Sequence, residues 1–147
     1  MNPEFSVVVP VYNEEGAAVP LAEEIAAAFA GRDFEMVFVN DASKDRTLDT
    51  LIEAKARLPQ LRVVTHVTNA GQSRAVRTGV LAARAPIVVT LDGDGQNPPA
   101  DAPRLAEALQ AAPPEVALIG GRRVGRQDTA SKKWASKVAN GVRKRLL

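Results

Sequence analysis

The sequence predicts a single α/β domain built on a mostly parallel sheet flanked by helices. Three observations carry that expectation. Residues 5–11 (FSVVVPV), 34–39 and 87–91 are near-continuous apolar, β-branched runs, the pattern of strands buried on both faces. Helical segments separate them, and strands alternating with helices imply parallel pairing through right-handed crossovers. The strands end in short polar clusters, and in such sheets ligands sit beyond the carboxyl ends of the strands.

Taken in order, the first strand spans 5–11, with Pro10 ending its ladder. The Tyr12–Gly16 loop follows, then a helix over 17–30 with Leu21, Ile25 and Phe29 four apart, stopped by Gly31. Residues 34–39 form the second strand and 40–45 its exit loop, where Ser43 or Asp45 can cap a helix over 47–58 that ends before Pro59. A third strand over 61–66 leads through Thr68-Asn69-Ala70-Gly71 into a helix over 72–84. The fourth strand, 87–91, runs into Asp92-Gly93-Asp94-Gly95-Gln96-Asn97-Pro98-Pro99. Asp101, with Pro103 just inside, opens a helix to about 111. Residues 116–119 are expected to be a fifth strand.

The 147 residues are one domain's worth, with the 46% apolar and 24% charged composition of an ordinary soluble globular protein. No run approaches the roughly 20 apolar residues of a membrane span, and the N-terminus lacks the basic start and apolar run of a signal peptide. With no cysteine, disulfides and thiolate metal sites are excluded, which fits a cytosolic protein. The net charge of +2 hides an asymmetry: from Arg122 onward nine Lys or Arg face the single Asp128, leaving +8 there and −6 in residues 1–121. A basic tail suggests an anionic partner, or simply a solvated helix face. The chain stops inside a helical pattern without a Gly or Pro stop signal, so a fragment of a longer protein is expected.

The motifs with chemistry in them lie at the strand ends. Asp92 and Asp94 alternate onto one side of an extended chain, and two carboxylates followed by glycine and proline suit a hard divalent cation; an acidic turn capping the next helix is the plainer reading. Tyr12 can wall a base, and Asn13 or Glu14 can accept hydrogen bonds from ribose or base, or the loop simply starts a helix. Asp41 suits the N–H edge of uracil or guanine, or caps a turn with Ser43. The Asn69–Ala75 segment opens a helix whose N–H groups and Arg74 can face a phosphate, or is merely a helix start. His66, alone at a strand end, is read as structural and given no role. Neither G-x-G-x-x-G nor G-x-x-x-x-G-K-[ST] is present, which argues against a classical dinucleotide fold or a P-loop NTPase.

Together, Ser6–Glu14, Val39–Thr47, Asn69-Ala70-Gly71, Asp92–Pro99 and Ile119-Gly120-Gly121-Arg122 resemble, in order and approximate spacing, the family 2 glycosyltransferases. The likeness is strongest to the dolichol-phosphate mannose synthase group of polyprenyl-phosphate glycosyltransferases. The resemblance covers nearly the whole chain and implies a GT-A fold, incomplete at the C-terminus. Residues 1–121 would be the nucleotide-sugar-binding core and 122–147 a basic acceptor-side segment. It implies that Pro10, Tyr12, Glu14, Val39, Asp41, Asp92 and Gly93 bind the nucleotide. Asp92 would contact ribose or metal, Asp94 and Gln96 would ligate Mg²⁺ or Mn²⁺, and Asp92 and Asp94 would stabilise the leaving group through that metal. Arg122, and more weakly Lys133 where the family has an arginine, would meet the acceptor phosphate. The implied reaction is inverting, metal-dependent transfer of a sugar from UDP or GDP to a polyprenyl phosphate at the cytosolic membrane face.

A phosphate acceptor brings its own anionic nucleophile, so no general base is assigned; a sugar-hydroxyl acceptor would need one. Residues 131–147 space Trp134, Val138, Val142 and Leu146 four apart among basic residues, a helix for an anionic membrane surface or for packing on a further segment. The alternatives are a family 2 enzyme with a hydroxyl acceptor, a nucleotidyltransferase, a catalytically incomplete nucleotide-binding fragment, and a nucleic-acid-binding module using the tail. The glycine-rich basic loop of nucleotidyltransferases is missing after the first strand, and the scarcity of aromatic residues in the tail argues against nucleic acid.

Overall fold

The computed structural model describes residues 2–122 and the backbone of residues 142–143. In chain order the elements are β1 (Phe5–Val11), α1 (Ala18–Ala28), β2 (Phe34–Asn40), α2 (Thr47–Ala54), β3 (Leu61–Thr65), α3 (Gln72–Ala82), β4 (Ile87–Thr90), a 3-10 turn (Pro99–Asp101), α4 (Ala102–Ala111) and β5 (Val142–Arg143). The sheet order is β3-β2-β1-β4-β5. The first four strands are parallel, with Phe5 opposite both Phe34 and Ile87, and Met36 opposite Leu61. β5 runs antiparallel to β4, with Ile87 opposite Arg143.

Every residue of β1 and β2 is buried, which explains their largely apolar sequence. Alternation along β1 divides the core. Phe5, Val7, Val9 and Val11 join Leu21 and Ile25 of α1, Phe29, and Ala106 and Leu109 of α4 on one side. Val8 joins Val37, Val39, Val88 and Ala75 of α3 on the other. Phe29 stacks at a tilt between Phe5 and Phe34, with ring centroids 6.0 and 5.5 Å away. α3 lies so close to the sheet that a Cβ on Gly79 would fall 2.3 Å from Val8 Cγ1.

The amino end of the sheet is fastened by Glu35, which is buried. Its Oε1 accepts from Ser6 Oγ and the Arg84 N–H, both at 2.7 Å, and its Oε2 accepts from Arg62 Nη1 at 2.7 Å. Burial pushes the carboxyl pKa up, but the Ser6, Arg84 and Arg62 donors outweigh it and hold it below the ordinary value. This network ties β1, β2, β3 and the α3–β4 connection together, and leaves the carboxyl ends of the strands to the polar loops.

Two expected elements differ. Residues 116–119 do not form a strand: Leu118 makes an isolated bridge and is half exposed. The Val116 N–H is spent on the Pro113 carbonyl at 2.9 Å, so the double proline closes a turn there. The helix expected over 131–147 is contradicted at Val142–Arg143, which are extended and pair with β4. Pairing there fills backbone bonds that the edge of β4 would otherwise leave open, and β-branched Val142 suits a strand. The rest of that expected helix lies outside the described residues. Asp101 stands at the start of α4 without a side-chain cap bond, whereas Asp45 Oδ1 accepts from the Thr47 N–H at 2.9 Å at the start of α2. Among the described residues, no helix is long and apolar enough to cross a membrane.

Candidate active site

From β1 the chain moves outward to β2 and β3, then returns to the other flank of β1 as β4. The reversal puts the sheet's switch point between β1 and β4, where open α/β sheets bind ligands. A cavity of about 470 Å³ opens there. Pro10, Val11, Tyr12 and Glu14 line it from the end of β1, Asp41 from the end of β2, and Asp92, Gly93 and Asp94 from the exit of β4. Asn69, Gly71, Gln72 and Ala75 close it from the start of α3.

The Asp92–Asp94 loop is pressed against β1. A Cβ on Gly93 would lie 2.3 Å from the Pro10 carbonyl oxygen and 2.8 Å from Val11 Cγ1, so only glycine fits. The two aspartates are not equivalent. Asp92 accepts from Gln72 Nε2 at 3.0 Å on Oδ1 and from Asn97 Nδ2 at 3.1 Å on Oδ2, which holds both its oxygens. Among the described residues, Asp94 accepts only from the Gln96 N–H of its own loop, on Oδ1 at 3.0 Å. Its exposed carboxylate therefore keeps most of its acceptor capacity for a ligand.

The loops after β1 and β2 are laced together. Asn13 N–H donates to Ser43 Oγ at 3.0 Å, and Lys44 N–H donates back to Asn13 Oδ1 at 2.8 Å. Glu14 N–H donates to Thr47 Oγ1 at 2.9 Å, and Arg46 N–H to Glu15 Oε2 at 3.1 Å. Asn13 (φ 52°) and Ala42 (φ 59°) both occupy the left-handed region, which costs a non-glycine residue roughly 1–2 kcal/mol. They adjoin Tyr12, Glu14 and Asp41, so the lacing holds the backbone of these three cavity residues in one conformation.

Asp41 is 3% exposed and is the most heavily bonded group in the site. Its Oδ1 accepts from His66 Nδ1 at 2.7 Å and from the Ala70 N–H at 2.8 Å, while Oδ2 accepts from the Gly71 N–H at 2.8 Å. Burial alone would raise its pKa, yet His66 and the two amides pull it below the ordinary carboxylate value, so it is ionised. Gly71, at φ 93°, makes the turn that aims these amides at Asp41 before α3 begins.

Glu14 moves the other way. Burial, then the charges of Asp94 and Asp45, push its pKa above the ordinary value. Glu14, Asp41, Asp92 and Asp94 all line the cavity, and no Lys or Arg among the described residues does. Yet no three His, Cys, Asp or Glu side chains among the described residues converge closely enough to hold a metal by themselves.

The sequence profile described as Glycosyl transferase family 2 matches residues 6–146. The chain belongs to this family. It is similar to the undecaprenyl-phosphate 4-deoxy-4-formamido-L-arabinose transferase of Pseudomonas aeruginosa (strain LESB58), at 40% identity over 92% of this chain and 40% of the relative. The transferase of the same description from Photorhabdus laumondii is 36% identical over 95% of this chain and 43% of the relative. The chain thus spans about two fifths of the length of these curated relatives. Among solved structures it resembles a mannosyltransferase from Pyrobaculum calidifontis in complex with GDP-Man and Mn²⁺, with TM-score 0.66 and 29% identity over 80% of this chain and 34% of that one. It also resembles S. aureus TarS in complex with UDP, with TM-score 0.54 and 28% identity over 75% of this chain and 33% of that one. The fold is therefore GT-A, as the motif order implied.

Within this family 2 domain, the structure brings Pro10, Tyr12, Glu14, Asp41, Asp92, Gly93 and Asp94 around one cavity. Val39 is not with them: it is fully buried, its Cγ2 3.1 Å from where a Gly79 Cβ would stand, and it packs beneath α3. Gln96 is exposed on the loop without lining the cavity, as are Arg74 on α3 and Arg122 at the end of the continuous described stretch. Lys133 lies outside the described residues. Gln72, Asn97 and His66 had no functional reading from sequence, because their roles rest on partners 20, 5 and 25 residues away.

Proposed function

We propose that this chain carries the nucleotide-sugar site of an inverting, metal-dependent glycosyltransferase. The enzyme would transfer a sugar from a UDP or GDP sugar to a polyprenyl phosphate at the cytosolic face of a membrane. The observation that carries this reading is the charge of the cavity: four carboxylates line it, with no Lys or Arg beside them among the described residues. A nucleoside diphosphate is itself an anion, and it can enter such a cavity only with a cation between the two charges.

The residues fit that requirement. Asp94 is exposed and keeps free acceptor capacity, and protein carboxylates alone do not complete a coordination shell. Water and diphosphate oxygens would complete it, as is usual for Mg²⁺ and Mn²⁺. Asp94 would hold the cation with Gln96 beside it, and the bound cation supplies charge stabilisation for the departing diphosphate. Asp92, fixed by Gln72 and Asn97, would orient the ribose, with Tyr12 and Asp41 on the base. A phosphate oxygen of the acceptor attacks the anomeric carbon as the bond from that carbon to the diphosphate breaks, which inverts the centre in one step. The acceptor is already an anion, so no side chain need take its proton.

The undecaprenyl-phosphate transferases at 40% and 36% identity support the lipid-phosphate acceptor. Arg122 and the basic residues after it would face that acceptor and the membrane surface. The test is a transfer assay with UDP and GDP sugars, Mn²⁺, and either a short-chain polyprenyl phosphate or the corresponding dephosphorylated alcohol. Transfer to the phosphate alone is expected. Transfer to the alcohol at a comparable rate would overturn the acceptor assignment.

A further inference from the structure

We propose that His66 is a positioning residue for nucleobase recognition. Together with the Ala70 and Gly71 amides, it leaves Asp41 a single open acceptor, matched to the lone imide N–H of uracil. This inference rests on reading the cavity as a nucleotide site, and deepens that reading to the base.

An ionised carboxylate has about four acceptor positions. Three of Asp41's are taken inside the protein: two on Oδ1, by His66 Nδ1 and the Ala70 N–H, and one on Oδ2, by the Gly71 N–H. Asp41 nevertheless lines the cavity, and the described residues leave it one open position, on Oδ2, with which to meet a base. Uracil offers one N–H flanked by two carbonyls, and that donor fills the position. Guanine presents two adjacent donors on the same edge, of which Asp41 can satisfy one. The other is left to find a partner or stay desolvated, which costs about 1–3 kcal/mol. Cytosine presents a lone pair at the ring nitrogen where uracil has its donor, and so faces the carboxylate with like charge.

The number of open positions depends on His66. Its ring is held from both sides, Nδ1 at 2.7 Å from Asp41 Oδ1 and Nε2 at 2.8 Å from Thr78 Oγ1 of α3. Nδ1–H donates to the Asp41 carboxylate, and the Thr78 hydroxyl, which can donate or accept, bonds to Nε2. Asp41 thereby sets which nitrogen carries the proton, since its carboxylate only accepts, and the Thr78 hydroxyl holds the other side of the ring. The His66 backbone N–H is bonded to the Asn40 carbonyl at 2.9 Å, one residue before Asp41, so ring and carboxylate are fixed to the same strand end. His66 does not line the cavity and acts only through Asp41. Without it, Oδ1 regains an empty position, and the carboxylate can rotate away from the geometry that meets the base.

The test is calorimetric titration of the full chain at fixed Mn²⁺ with three probes: UDP, GDP and inorganic pyrophosphate. The wild type is expected to bind UDP about tenfold more tightly than GDP. His66→Ala should weaken UDP binding about tenfold and leave pyrophosphate binding unchanged. His66→Asn, whose amide N–H stands where Nδ1–H was, should recover most of the loss. If His66→Ala does not fold, Thr78→Val carries the comparison, with a loss of about threefold confined to UDP. GDP binding as tight as UDP, or a loss equal for UDP and pyrophosphate, overturns the inference while the nucleotide site stands. Binding of none of the three probes by the wild type overturns the nucleotide site and the inference with it.

Discussion

Replacing Gly93 by alanine adds one methyl group between the end of β1 and the Asp92–Asp94 loop. That carbon would stand 2.3 Å from the Pro10 carbonyl oxygen and 2.8 Å from Val11 Cγ1, where ordinary contact begins at 3.4 Å. Strand end and loop must then part by roughly 1 Å. Neither side yields easily. The Val11 carbonyl accepts from the Asp41 N–H at 2.9 Å, and the Leu91 N–H is bonded to the Val8 carbonyl at 3.0 Å, so both are anchored in the sheet. Overpacking of this kind costs about 1–3 kcal/mol, and in a domain of this size each kcal/mol lowers Tm by roughly 2–4 °C. The larger effect falls on the chemistry, since a displacement of about 1 Å at a reacting site costs on the order of 100-fold in rate. Gly93→Ala is therefore expected to lower kcat/KM about 100-fold while Tm falls by only a few degrees, measured by transfer kinetics and calorimetry. A variant whose kcat/KM and Tm both match the wild type would refute the close-approach reasoning.

Asn13→Ala removes the acceptor for the Lys44 N–H and puts a residue less tolerant of φ 52° at the lacing point. It is expected to cost about 1–2 kcal/mol and to raise KM for the nucleotide sugar more than it lowers kcat; unchanged KM and Tm would count against the lacing. Glu35 gives a pH prediction of definite sign. Its folded pKa lies below the unfolded value of 4.5, so its contribution is complete above that pH and is lost as pH falls through the folded pKa. Glu35→Gln should cost about 2–3 kcal/mol at neutral pH and flatten the acid limb of a Tm-against-pH curve; an unaltered acid limb would contradict this.

Much of the fold was legible because its strands are buried on both faces. The near-continuous apolar runs at 5–11 and 34–39 read as such strands, and their polar exits mark the carboxyl edge where the cavity lies. The same rule misled at 116–119, where four residues of apolar character follow a double proline that closes a turn on the surface. Helical spacing misled at Val142, which pairs as a strand with the edge of β4. Asp41, Asp92 and Asp94 could be picked out because they end strands within an ordered set of motifs, although each also has a plain turn or cap reading.

What holds those carboxylates was not legible. Ser43, Thr47 and Asn13 look like ordinary turn and cap residues until two loops 30 residues apart are brought together. A lone histidine carries no pattern, and only the joint approach of β2, β3 and α3 gives His66 its two partners. Val39 went wrong for the converse reason: it stands two residues before Asp41 and on the same face of the strand, but deeper in the sheet, where α3 covers it.

The central claim is that a cation must accompany the nucleotide into this acid-lined cavity. The direct measurement is calorimetric titration of the full chain with UDP and with GDP, in Mn²⁺ and again in EDTA, for the wild type and Asp94→Ala. Binding is expected in Mn²⁺, with at least a tenfold loss in EDTA and a similar loss for Asp94→Ala, by the order of magnitude of a charge-paired contact. Equal affinity with and without the cation, or an Asp94→Ala variant indistinguishable from the wild type, would contradict it.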